Sequence, residues 1–324
     1  AFLSVTAPAP SSTTTKGREA AAASFGQKLL WRIEVLLYDL FVLLLRPLPI
    51  DAVSAMGGWI FKVLGPLTSL DRVVRTNIGI AFPDKDQAWI DALVKAQWEQ
   101  TGRVFLEFPI LDRIARSKGR ITAKGLPRLR EMINNQEVVV YITMHTANWE
   151  LMPACVIQHG AKVLVTYRAL NNPYFDKRVK EVRASYGVEI FGQKGGAGET
   201  RKLIRALTSG LSIGLMIDQR FEQGHAGPLF GVTAHTNPGA IRMALEYGLA
   251  LQLVTASSLK GANHEVTIHP PIRLEKTGDR DHDVASAVER VNRAVEEVIR
   301  ENPKDWFWVH HRWPREIYKK EPKT

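Results

Sequence analysis

Cysteine is almost missing from this chain: Cys155 is the single one in 324 residues. No intramolecular disulfide is possible, and the lack of any paired-Cys framework fits a reducing compartment. Metal-ligand spacing is missing as well. His145 has no second histidine at the spacing that puts two ligands on one helical face, and His225 and His235 lie far along the chain in a Gly-rich loop, so no metal site is expected. The glycine cluster Gly195-Gly196-Ala197-Gly198 lacks the Gly-Lys-Ser/Thr ending of a phosphate-binding loop and reads as a flexible connection. Acidic residues are in deficit, 33 against 43 Lys and Arg, a net charge of +10. That excess suits anionic lipid, a phosphate-bearing substrate or an acidic protein. Nucleic acid is not an expected partner, because no reading motif is present and aromatics are not interleaved with the basic residues. No internal repeat is visible.

An uninterrupted hydrophobic run is also absent. Residues 29–45 are mostly apolar, but Arg32, Glu34 and Asp39 break a stretch that a free membrane span would need at about 20 residues. No small-residue cleavage site follows, which argues against a signal peptide. Arg32 and Arg46 stand where they would snorkel at either end. Membrane attachment through residues 25–65 is the expectation, with spanning and interfacial placement both open and a buried core helix as the competing reading. Residues 1–24, rich in Ala, Ser, Thr and Pro, are expected to be a disordered extension.

Residues 66–120 read as helical, with Asp84-Lys85-Asp86-Gln87 opening one helix after Pro83. From 121 to 313 the pattern becomes alternating strands and helices, and 314–324 form a tail. Val138–Met144 is a predicted strand, Trp149 to about Gln158 a helix stopped at Gly160, and 162–167 the next strand, which together make a βαβ unit. A basic helix then runs to Tyr186 and a short strand covers 188–191. A helix over 200–209, a strand over 212–218 ending in Asp218, a helix over 239–247, strands over 251–258 and 264–272 and a long helix over 283–300 complete the series. The fold class is α/β, with a mixed, largely parallel sheet flanked by helices and an N-terminal membrane-associated helical region.

The segment Met144-His145-Thr146-Ala147-Asn148-Trp149-Glu150 closes the first buried-type strand. Five residues along a helix turn about 140°, so His145 and Glu150 would not share a helical face. They meet only if His145 sits in the strand-to-helix turn and Glu150 in the first turn of the helix. Open α/β sheets place functional residues at such strand ends. On these residues alone two readings stand: a base with its orienting carboxylate, or a hydrogen-bonded turn histidine and a glutamate that complements the helix dipole. Arg168 and Asp218 also fall at or just past strand ends, and Arg183 lies on an intervening helix that could face the same edge. Each has a plain structural reading too, as surface cations or a loop cap. Cys155 lies in the apolar helix Met152–Ile157 and reads as an inert, buried thiol.

The His-x-x-x-x-Glu element from His145 to Glu150 resembles the His-x4-Asp/Glu signature of the lysophospholipid acyltransferase superfamily. The ordered set is more specific: Tyr167-Arg168-x-x-Asn171-Asn172-Pro173, Arg183-x-x-x-Gly187, Ile217-Asp218-Gln219, Pro228-Leu229-Phe230-Gly231, Thr236-Asn237-Pro238-Gly239 and the tail Asn302-Pro303-x-x-Trp306-x-Trp308-Val309-His310-x-Arg312-Trp313. Together these are similar to the bacterial lipid A late acyltransferases, from the N-terminal hydrophobic helix to Trp313. The second histidine in His310-His311-Arg312 and the extension before residue 25 depart from that pattern. The resemblance implies acyl transfer at the cytoplasmic face of the bacterial inner membrane, from acyl carrier protein to a hydroxyl of a lipid A precursor, an anionic glycolipid, with no cofactor. Another glycolipid or aminolipid acceptor, or acyl-CoA as donor, is the alternative. It implies His145 as general base oriented by Glu150 without a covalent intermediate, with Arg168, Arg183, Asp218 and Asn148 as supporting or substrate-binding residues. The carrier protein, the glycolipid and the membrane are thus the expected partners.

Overall fold

The first sheet strands explain themselves by alternation. In β2 (Val140–Thr143) and the residue before it, Val139 and Tyr141 point to one face and Val140 and Ile142 to the other, and all four are buried. A strand apolar on both sides belongs in the middle of a covered, parallel sheet. The computed structural model describes residues 23–167, 169–188, 191–193 and 197–319. Arg168, Gly195, Gly196, residues 1–22 of the expected extension and 320–324 of the tail lie outside them.

The sheet has seven strands in the order β1-β9-β8-β2-β5-β3-β4. These are β1 (Ile121–Lys124), β3 (Val163–Tyr167), β4 (Phe191–Gln193), β5 (Ser212–Met216), β8 (Leu251–Ser258) and β9 (His264–Ile268) around β2. All neighbours are parallel except β8 and β9. A mixed, largely parallel sheet was the sequence expectation. The region read as a Gly-rich loop around His225 and His235 is instead an antiparallel hairpin, β6 (His225–Leu229) and β7 (Val232–Thr236). Its two-residue turn uses Phe230 and Gly231, both at positive φ, the backbone that a tight hairpin demands.

Helices cover both faces. One layer packs α3 (Leu70–Ala81), α4 (Gln87–Glu107), α9 (Ala197–Thr208), α10 (Gly239–Tyr247) and α11 (Arg280–Glu301) on Val140, Ile142, Ile213 and Leu251, and the buried Trp306, Trp308 and Trp313 join this core. The other packs α6 (Leu126–Asn134) and α7 (Leu151–Gln158) on Val139, Tyr141, Val163 and Val266. α4 starts where Asp86 accepts from the Trp89 backbone N–H, a side-chain cap that satisfies an otherwise orphaned donor. It crosses α2 (Ile50–Leu64) at Gly57 and Gly102, where a Cβ on either residue would overlap the other's carbonyl oxygen. α5 (Leu111–Arg116) buries Leu111 and Ile114 in a cluster with Leu151 and Ala154 of α7.

The N-terminal helix α1 (Phe25–Leu45) is arranged in an uncommon way. The charges that break its apolar run are turned toward the protein, onto α8 (Pro173–Ala184). Asp39 accepts from Arg178, Glu34 accepts from Asn172 at 2.9 Å, and Tyr38 meets Phe175 edge-on. Asn172 also caps α8 by accepting from the Tyr174 and Phe175 N–H groups. The opposite side, with Leu36, Leu37, Leu43 and Leu44 each at least 60% exposed, has no protein cover. Among the described residues no helix is long and apolar enough to cross a membrane.

Candidate active site

The strand register builds the centre of the site. The β2–β5 ladder ends with Thr143 opposite Met216. Two residues beyond each strand come His145 and Asp218, so the same register sets them side by side at the carboxyl edge of the sheet. His145 donates to Asp218 twice, from its backbone N–H to Oδ2 and from Nδ1 to Oδ1, both at 2.8 Å. Trp306 Nε1 donates to Oδ2 at 2.9 Å. With Nδ1 given to the carboxylate, Nε2 is left as the ring's acceptor.

Each following residue of the turn is also held. Thr146 Oγ1 accepts from the Ala256 N–H, the Ala147 N–H donates to the Asp305 carbonyl, and Asn148 Nδ2 donates to Glu107 Oε2. Ala147 adopts φ +43°, a left-handed backbone that costs a residue with a Cβ about 1 kcal/mol and persists only where surroundings enforce it. Glu150 starts α7 and is clamped by Arg183, whose Nε and Nη2 donate to its two oxygens at 2.8 and 2.7 Å, while Tyr186 donates at 3.2 Å. The sequence reading gave Glu150 the task of orienting the imidazole. In the structure Asp218 takes that position, because strand register brings Asp218 to Nδ1 whereas the helix start turns Glu150 toward α8.

Charge follows this pairing. Burial pushes the Asp218 carboxyl up, but its electrostatic interaction and hydrogen bonds with His145 outweigh that and hold Asp218 well below the usual carboxylate range. Glu150 is likewise pushed up by burial and brought below its ordinary value by the Arg183 charge and bonds. His310 stands edge-on to His145 with ring centroids 5.0 Å apart. Burial and the neighbouring His145 lower His310 to about 3, so it is a neutral imidazole at physiological pH. Trp149 and Phe307 complete the aromatic surround of His145.

An apolar cavity of about 250 Å³ opens beside His145. Met152 and Val156 of α7, Val163 and Val165 of β3, Val179 of α8 and Leu215 of β5 wall it, and His145, Glu150, Arg183 and Gln219 supply its polar groups. Among the described residues no cluster of three or more His, Cys, Asp or Glu side chains could hold a metal ion. The sequence agrees with this picture from another direction. Residues 24–315 match the family model described as bacterial lipid A biosynthesis acyltransferase. The chain belongs to that family. It is 23% identical over 239 residues to the lipid A biosynthesis myristoyltransferase of Escherichia coli (strain K12), covering 72% of each chain. It is 22% identical over 239 residues to lipid A biosynthesis acyltransferase 1 of Shigella flexneri, again 72% of each.

In this acyltransferase the structure brings together His145, Glu150, Arg183 and Asp218. It does not bring Asn148 to the cavity: its side chain is fully buried and its amide points at Glu107, which corrects the reading of Asn148 as a substrate-binding group. Trp306 and His310 belong to the tail pattern without an assigned role, and Phe307 falls at an open position of it. The density of aromatic residues from 306 to 313 was the available signal. Cys155 is buried in α7 without lining the cavity, and burial pushes its thiol up to about 11, as fits an inert core residue.

Proposed function

We propose that the acyltransferase moves a fatty acyl group from the thioester of acyl carrier protein to a hydroxyl of a lipid A precursor. The observation that carries this reading is the Nε2 of His145 at the edge of a largely apolar cavity of about 250 Å³, with Nδ1 fixed by Asp218. The acyl chain of the donor occupies the cavity. His145 Nε2 takes the acceptor hydroxyl proton as that oxygen attacks the thioester carbonyl carbon. The tetrahedral intermediate then collapses, the carbon–sulfur bond breaks, and the imidazolium returns the proton to the departing sulfur. Asp218 stabilises the imidazolium between these steps, as a triad acid does. No acyl-enzyme forms. Glu150 and Arg183 act as a neutralised pair that shapes the cavity wall next to the reacting carbon, and Gln219 and neutral His310 lie beside the imidazole.

The exposed apolar side of α1 rests on the cytoplasmic surface of the inner membrane in this reading. The unpaired hydrophobic face supports it, and the chain's net charge of +10 suits both anionic lipid and an acidic carrier protein. Purified enzyme incubated with acyl carrier protein thioesters or acyl-CoA, and with lipid A precursor or other glycolipid acceptors, tests the assignment by mass spectrometry of products. An ester formed on the lipid A precursor from the carrier-protein donor, and lost in His145→Ala, is the expected result. Ester formation only on another acceptor, or only from acyl-CoA, would overturn it.

A further inference from the structure

Of the residues in the His145–Glu150 turn, Asn148 alone is held by a side chain of the N-terminal helices. Its partner, Glu107 of α4, is completely buried. Ser54 Oγ of α2 donates to Glu107 Oε1 at 2.7 Å, and Asn148 Nδ2 donates to Oε2 at 2.7 Å. His264 Nε2 of β9 lies 3.0 Å from Oε2 but outside hydrogen-bonding alignment. Ser54 in turn accepts from Arg103 Nη1 at 3.2 Å. No lysine or arginine touches the Glu107 carboxylate among these contacts. A carboxylate buried in this way is costly, and a well-packed apolar residue of similar size would commonly serve stability as well or better.

What the carboxylate does locally is specific. The other polar atom of the Asn148 side chain, Oδ1, is buried without a partner. Glu107 is therefore the group that fixes the amide, directly beside the left-handed Ala147 and three residues from His145. We infer that Glu107 is a positioning residue of the acyl-transfer centre: by holding Asn148 it keeps the strained turn in the shape that presents His145 to the acyl cavity. The inference rests on His145 being the base.

A swap of donor and acceptor tests it. In Asn148→Asp the new carboxylate faces Glu107, so the turn is pushed out of place. In the double variant Glu107→Gln/Asn148→Asp the amide and carboxylate have exchanged places, and the same hydrogen bond and charge are restored. Turnover of acyl carrier protein thioester with lipid A precursor should fall by at least about tenfold in kcat for Asn148→Asp, with KM within about twofold, and most of the loss should return in the double variant. Thermal unfolding of the same samples identifies folded protein. If Asn148→Asp does not fold, Glu107→Gln and Asn148→Ala form the cycle instead, and Glu107→Gln should cost nothing further once Asn148 is alanine. Wild-type kcat in Asn148→Asp, no recovery in the swap, or full additivity in the second cycle would overturn the inference. Absence of turnover by the wild-type enzyme would count against the substrate reading instead. In that event, restoration of the His145 imidazole NMR signals in the swap variant, after their displacement in Asn148→Asp, still supports positioning, and unmoved signals overturn it.

Discussion

His145 Nδ1 donates to Asp218 Oδ1 at 2.8 Å across the ends of two neighbouring parallel strands. Pairing of the two strands brings the residues to neighbouring positions, two residues past the end of the ladder. Trp306 Nε1 donates to the same carboxylate, which leaves Asp218 little freedom to rotate away from the ring. The sheet places the His145 imidazole, and helices and the C-terminal segment supply its surroundings.

Glu150 and Arg183 should behave as one unit. Glu150→Gln and Arg183→Met each leave a buried partner uncompensated, a loss of about 3–5 kcal/mol for a buried pair broken on one side. The double variant should be no worse than the poorer single. Thermal unfolding and kcat/KM for the four proteins of the cycle check this, and simple additivity would show that the two residues act apart.

The cavity should read acyl length. Gly214 lines it from β5, and a Cβ there would meet Val163 Cγ1 at an ordinary contact distance of 3.5 Å. Gly214→Ala adds a methyl at ordinary contact distance and should shift preference toward shorter donors. Each methylene denied burial is worth about 0.8 kcal/mol, or roughly fourfold in kcat/KM. An unchanged ratio between long and short donors would place the acyl chain elsewhere.

Acid should destabilise this fold in two windows. His310 is lowered from 6.5 to about 3, so the unfolded chain binds a proton there that the native one does not, and its contribution is lost as pH falls from about 6.5 toward 3. Asp218 is held below its ordinary 3.8, so its contribution is present above that value and lost as pH falls further. Denaturant titrations between pH 7 and 4 should show His310→Gln with a shallower pH dependence than wild type, by up to one proton, about 1.4 kcal/mol per pH unit. Parallel curves would rule out the neutral ring.

Membrane attachment should depend on the outward side of α1. Replacing Leu36, Leu37, Leu43 and Leu44 together by Ser removes apolar area without touching Asp39, Glu34 or Tyr38, which bind α8. Co-sedimentation with anionic vesicles should fall sharply while activity on detergent-dispersed substrate is kept. Undiminished sedimentation would assign attachment to another surface.

Much of this was legible before any coordinates. The buried strands from Val138 and Ser212, the βαβ order and the helix stop at Gly160 follow local rules that the structure obeys. Asp218 was visible as a strand-end carboxylate, but its partner was not, because strand order is non-local and nothing within either segment says that β2 and β5 are neighbours. Glu150 was the nearer carboxylate in sequence, but the helix start turns it toward Arg183, which nearness along the chain could not show. Glu107 gave no sign at all: a glutamate at the end of an amphipathic helix reads as solvated until the sheet and α2 close around it.

Asp218 is the group on which the His145 imidazole depends. The direct measurement is kcat and KM of Asp218→Asn, which preserves shape and removes the charge that fixes the His145 tautomer. The predicted result is a folded protein with KM little changed and kcat lower by about 10³-fold or more. A folded Asp218→Asn enzyme turning over within threefold or so of wild type, a difference of about 0.7 kcal/mol, would contradict it.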